Sequence, residues 1–146
     1  MNIAIIFAGG VGTRMNTKDR PKQFLMVHGK PIIVHTIEKF QEHAEIDGII
    51  VVCVKDWINY MKEMQFRYRL DKIAKIVPGG KTGQLSIYAG LKAAEDIFGV
   101  DDNIVLIHDG VRPLIGKQII SDNIESVKKY GSAVTCAPTK NLLFDR

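Results

Sequence analysis

The sequence predicts an α/β protein: a mostly parallel sheet covered by helices on both faces, in three layers. Three observations carry that prediction. Short apolar runs alternate along the chain with stretches of helical periodicity. Strand–helix–strand units of this kind form parallel sheets with right-handed crossovers. The apolar runs are near-continuous rather than alternating, as strands buried on both faces are.

In chain order, Ile3 to Phe7 is a buried-type strand, followed by a basic, glycine-rich loop to about Leu25. Pro31 stands where a first helical turn tolerates proline, and Ile33, Ile37 and Phe40 keep helical spacing. After Gly48, Ile49 to Val54 is a second strand. Trp57 to Leu70 is a helix with Trp57, Met61, Met64 and Tyr68 on one face, a core stripe. Ile73 to Val77 is a third strand, closed by Pro78-Gly79-Gly80. Ser86 to Phe98 is helical, with Leu85, Ala89, Leu91, Ala93 and Ala94 as its packing residues. Asn103 to Ile107 is a fourth strand, Ile119 to Tyr130 a helix ended by Gly131, and Ala133 to Ala137 a fifth strand.

Composition fits one folded domain. The chain has 146 residues, 46% hydrophobic and 25% charged, with no internal repeat and no linker. Net charge is +4 and the isoelectric point about 9.1, a mild basicity that suits a small anionic ligand. No Lys/Arg run forms the patch that nucleic acid needs. No apolar run reaches bilayer length, and no signal peptide is recognised, so neither a membrane nor export is expected. Cys53 and Cys136 lie in apolar runs without metal or CxxC spacing. Both are expected to be buried small hydrophobes in a reducing cytoplasm.

Chemistry concentrates where strands end. Ala8-Gly9-Gly10-Val11-Gly12-Thr13-Arg14 follows the first strand directly. Glycines let backbone approach a ligand closely, and their N–H groups can point at anionic oxygens. Arg14 and Lys22 add full charges. Asp109, after the fourth strand, is a carboxylate able to hold a hard cation. Backbone donors, two cations and a metal carboxylate are the parts of a nucleotidyl transfer. Two lookalikes fail. A dinucleotide fingerprint needs a third glycine where Met15 stands, and a P-loop ending at Gly80-Lys81 needs a glycine where Lys75 stands. In parallel sheets ligands sit beyond the carboxyl ends of strands, which places the glycine loop, Gly79-Gly80 and Asp109 in one crevice. His28, His35, His43 and His108 share no metal spacing and are read as packing or surface residues. Asp101-Asp102 is read as a solvated turn.

The runs Phe7 to Met15, Pro21 to Leu25 and Lys30 to Phe40, with Gly79-Gly80, Ser86, Ala89-Gly90-Leu91 and His108 to Pro113, resemble one enzyme family. It is the cytidylyltransferase family of ribitol-5-phosphate cytidylyltransferase and 2-C-methyl-D-erythritol 4-phosphate cytidylyltransferase. Phe7-Ala8-Gly9-Gly10 and the Lys30 to Phe40 segment tilt the resemblance toward the ribitol branch. The family implies a Rossmann-like three-layer sandwich of the nucleotide-diphospho-sugar transferase type, here one CTP-binding domain over residues 1–146. It implies transfer of CMP from CTP to a polyol phosphate, with Mg²⁺ as cofactor. D-ribitol 5-phosphate is the first expected acceptor and methylerythritol phosphate the alternative, and an inactive CTP-binding fragment is the third reading. Carried over by motif, Arg14 and Lys22 are the catalytic cations. Ala8, Gly9, Gly10, Gly12, Thr13, Gly80 and Ser86 are nucleotide-binding, Asp109 is the metal ligand, and Arg112 is a structural residue tying the metal loop.

The sequence departs from the family pattern in three places. Gly83 stands where the family has an arginine. Leu142 replaces a substrate-contacting threonine. The sequence at Arg146 stops short of the family's β-arm, second metal aspartate and late lysine. The resemblance therefore implies a nucleotide half-site, an impaired family homodimer and an exposed apolar edge strand near Ala133 to Ala137, hence a monomer or a loose oligomer.

Overall fold

The computed structural model describes residues 1–8 and 20–138. Its centre is a four-stranded sheet of β1 (Asn2–Ala8), β4 (Gly48–Cys53), β5 (Ile73–Pro78) and β6 (Ile104–Asp109), in the order β5-β4-β1-β6. All three pairings are parallel. Helices α1 (Ile32–Gln41), α2 (Ile58–Arg67), α3 (Gly83–Phe98) and α4 (Lys117–Tyr130) follow β3, β4, β5 and β6 respectively. β2 (Met26–Val27) and β3 (Lys30–Pro31) form a small antiparallel hairpin.

The strand period of two sorts side chains between two cores. Ala4, Ile6, Ala8, Ile49, Val51 and Cys53 face α1, α2 and α4, where Ile33, Ile37, Phe40, Met61, Met64, Ile120 and Ile124 are buried. Ile3, Ile5, Ile50 and Val52 face α3 through Ala93 and Ala94. Helices on both faces make three layers, and the central β1 and β4 are buried from both sides, which is why their sequences carry no polar alternation. α3 approaches the sheet tightly at Gly90: a Cβ there would stand 2.5 Å from Ile5 Cγ2 and 3.0 Å from Val52 Cγ2.

The predicted fold class is the observed one, with local corrections. Ala133 to Ala137 is not a strand. A strand exists only where a neighbour takes up its N–H and C=O groups, and the described segment instead ties its Thr135 Oγ1 to Asn123 Nδ2 of α4 at 2.8 Å. Among the described residues the edge strands of the sheet are therefore β5 and β6, the latter with Ile107 46% exposed, rather than the predicted fifth strand. Cys136 is exposed with that segment, against the expectation of burial, while Cys53 is buried. In α3 the face toward the sheet is Ser86, Gly90, Ala93 and Ala94. Leu85 and Leu91, expected to pack, are 49% and 37% exposed.

α3 begins before Ser86 because Thr82 caps it, its side chain accepting from Leu85 N. Trp57 belongs to a short 3-10 turn, Lys55–Trp57, ahead of α2. At the other end of α2, Arg69 takes a left-handed φ of 51° that stops the helix. Pro31 caps α1 rather than opening it. The β2–β3 hairpin went unread in the sequence. Its turn is His28-Gly29, both at positive φ (48° and 79°), as two-residue hairpin turns require.

Candidate active site

The sheet order reverses beside β1: β4 and β5 build outward on one side, and β6 returns to the other. In open parallel sheets such a switch point, at the carboxyl ends of the strands, is where ligands bind. Register aligns those ends, with Phe7 opposite Asp109, Ala8 opposite Cys53 and Cys53 opposite Pro78. A cleft of about 290 Å³ opens there, walled by Phe7, Ala8, Lys22, Ser86, Asp109 and the Gly80–Gly83 turn. Five predicted site residues meet in it: Ala8, Lys22, Gly80, Ser86 and Asp109.

Each is placed by a nameable interaction. Asp109 ends β6, and the turn after it is tied on several sides. Gly110 N donates to Phe7 O at 2.9 Å, and the buried Thr36 of α1 donates through Oγ1 to Gly110 O at 2.8 Å. The carboxylate accepts from Val111 N through Oδ1 at 3.0 Å. Lys22 opens the 3-10 turn Lys22–Phe24, with its own side chain exposed. Phe24, fully buried, anchors that turn by stacking on Trp57 at 5.1 Å and meeting Tyr60 edge-on at 5.2 Å. Ser86, 2% exposed, accepts through Oγ from Gly80 N at 3.1 Å, which fixes the glycine turn against the start of α3. Gly80 has no room for a side chain, since a Cβ would run into Leu85.

The remaining predictions divide. Arg112 lies 3.6 Å from Asp109 Oδ2 through Nε, but its side chain is 76% exposed. A contact that exposed holds little. The loop is also tied by Thr36, and by His108, whose ring Nε2 lies 2.9 Å from Arg112 O. Arg14, Gly9, Gly10, Gly12 and Thr13 lie outside the described residues.

Sequence reading missed Gln23, Lys81, Thr82, Thr36 and Val111. Two had a legible signal: Thr82 precedes a helix start as N-caps do, and Gln23 adjoins Lys22 in a motif already singled out. Thr36 had none, because its partner Gly110 is 74 residues away.

Chemically the cleft favours a polyanion. Lys22 and Lys81 bring cations, and the positive amino end of α3 opens at Thr82 and Gly83. Asp109 adds a carboxylate to the same lining. Among the described residues no three His, Cys, Asp or Glu side chains gather around one point. No helix among them is long and apolar enough to cross a membrane.

Comparison with known proteins agrees with this geometry. Residues 2–144 match the family described as IspD: 2-C-methyl-D-erythritol 4-phosphate cytidylyltransferase. A ribitol-5-phosphate cytidylyltransferase of Streptococcus agalactiae serotype Ia is 60% identical over 140 residues, 96% of this chain and 58% of that protein. A 2-C-methyl-D-erythritol 4-phosphate cytidylyltransferase of Clostridium novyi is 46% identical over 143 residues, 97% of this chain and 59% of its own. The crystal structure of 4-diphosphocytidyl-2C-methyl-D-erythritol synthase from Anaerococcus prevotii superposes with a TM-score of 0.68 at 33% identity, over 88% of this chain and 51% of that one. The chain thus spans a little under three fifths of the length of these two relatives. A family match over residues 2–144, on a parallel sheet of the same fold as the solved structure, shows that this chain belongs to the 2-C-methyl-D-erythritol 4-phosphate cytidylyltransferase family.

Proposed function

We propose that the chain binds CTP in the switch-point cleft and transfers CMP to a polyol phosphate, D-ribitol 5-phosphate first, giving CDP-ribitol and pyrophosphate. The observation that carries this reading is the convergence of Lys22, Asp109 and the Gly80–Ser86 turn on one cleft. The 60% identity to a ribitol-5-phosphate cytidylyltransferase, against 46% to a methylerythritol-phosphate enzyme, supports the choice of acceptor.

In this reading a phosphate oxygen of the acceptor attacks the α-phosphorus of CTP in line. The bond to the bridging oxygen breaks, and pyrophosphate leaves. Catalysis of such a step is positioning and charge neutralisation. Lys22 lies against the developing negative charge, with Arg14 of the glycine-rich loop as its partner by family motif. The Ser86 hydroxyl accepts from Gly80 N and keeps its own proton to donate to the nucleoside. Magnesium takes one or two protein carboxylates and fills its shell with phosphate oxygens and water, so the single carboxylate of Asp109 fits it. When bound, the ion supplies charge neutralisation beside the α-phosphate.

A second reading is favoured by the coverage of 58% of the ribitol relative: the chain binds CTP without turning it over. We place the protein in the cytoplasm, with a homodimer as the assembly of the complete enzyme. The test is nucleotide affinity with Mg²⁺ present, comparing CTP, UTP, GTP and ATP on the native chain and on Lys22→Ala. Selective CTP binding that weakens in the variant supports the site. Equal affinity for all four, or indifference to Lys22, contradicts it.

A further inference from the structure

We infer that Gln23 is a positioning residue for Lys22, a role that rests on the CTP reading above. The observation is a short buried bridge between two elements of the cleft. Gln23 is 3% exposed, and its Nε2 donates to Ala8 O at 2.7 Å. Ala8 is the last residue of β1, at the switch point, and Phe7 beside it pairs with Asp109. Gln23 therefore ties the turn bearing Lys22 to the strand end that also registers Asp109.

The rest of that turn is held less directly. Phe24 fixes it through ring packing, and Arg20 closes over the same rings, 5.9 Å from Trp57 and 5.6 Å from Tyr60, while donating to Phe24 O at 3.3 Å. Those contacts join the turn to α2 and its preceding 3-10 turn, on the side of the sheet away from α3. They join the turn to that face of the sheet. The Gln23–Ala8 hydrogen bond joins it to the carboxyl end of β1. A buried amide carries this job well, because its geometry is directional and an unmade partner is costly. The neighbouring Lys22 side chain is exposed and makes no hydrogen bond or ion pair to the described residues, so its position follows the backbone next to it. Gln23 is thus predicted to act through Lys22 rather than on the nucleotide.

The test is a double-mutant cycle on CTP affinity with Mg²⁺. Gln23→Leu removes the donor with similar bulk, and Gln23→Glu keeps the shape but presents an acceptor to the Ala8 carbonyl. Unfolding midpoints identify which variant remains folded, and either one suffices. The expected result is a loss of roughly tenfold in CTP affinity in the Lys22 background and less than about twofold in the Lys22→Ala background. The same loss in both backgrounds would show a purely structural glutamine and overturn the inference. Unchanged affinity in both would overturn it too. A native chain that binds no CTP defeats the functional reading and this inference with it, whereas a binding native chain with an indifferent Gln23 defeats the inference alone.

Discussion

Lys22 and Asp109 line the same cleft, and a neighbour of each is tied to another element, Gln23 to Ala8 and Gly110 to Thr36. Replacing Lys22 with alanine is expected to lower turnover by roughly a hundredfold or more, since charge placed at a developing anion is among the largest catalytic terms. Turnover within threefold of native would contradict its role. Thr36→Val removes the donor to Gly110 O beneath Asp109 while keeping the shape. It is expected to cost about 1–3 kcal/mol of stability by leaving a buried carbonyl unpaired, read from a denaturant midpoint. The two cysteines give a check on the structure itself. Burial pushes the Cys53 thiol up to about 11, so at pH 8 it is protonated and shielded, whereas Cys136 is exposed. The thiolate is the reactive form. Alkylation of the folded chain at pH 8 is therefore expected to modify Cys136 alone, and rapid labelling of Cys53 would show that β4 is not buried as described.

The elements were legible in the sequence to the degree that their signals were local. The central strands announced themselves as unbroken apolar runs, because burial on both faces removes any polar alternation. Gly131 closes α4 in the left-handed conformation, as its position predicted. The failures were non-local. Ala133 to Ala137 has a strand's composition, yet strand formation depends on a neighbour that the segment itself does not contain. The packing face of α3 was misassigned because the sheet accepts its small residues, Gly90, Ala93 and Ala94, and leaves Leu85 and Leu91 outside. Hydrophobicity alone points the other way. Gly90 is the place to test this close approach. Gly90→Ala is expected to destabilise by about 1–3 kcal/mol through overpacking against Ile5 and Val52. A neutral or stabilising effect in thermal unfolding would mean that α3 stands further from the sheet. At the cleft, Ala8, Lys22, Gly80, Ser86 and Asp109 were readable from motifs, whereas the contacts of Gln23 with Ala8 and of Thr36 with Gly110 were not, because those partners are distant in sequence.

At the scale of the molecule, β6 pairs only with β1, so its outer edge and a groove of about 410 Å³ beside it are open among the described residues. Open edges template pairing with other chains. The chain is accordingly expected to sediment as a monomer at low concentration and to associate as concentration rises, and a tight dimer independent of concentration would contradict this. The chain spans 58% of the ribitol relative, and the cleft is walled by residues 7–111, so the proposed nucleotide binding and the proposed turnover each need their own measurement. The measurement that tests the proposed function most directly is pyrophosphate release from CTP and Mg²⁺, run in parallel with D-ribitol 5-phosphate and 2-C-methyl-D-erythritol 4-phosphate. The account predicts release with ribitol 5-phosphate, abolished by Lys22→Ala. Silence with both acceptors from a folded chain that binds CTP would contradict catalysis by this chain, and release with methylerythritol phosphate alone would contradict the assigned acceptor.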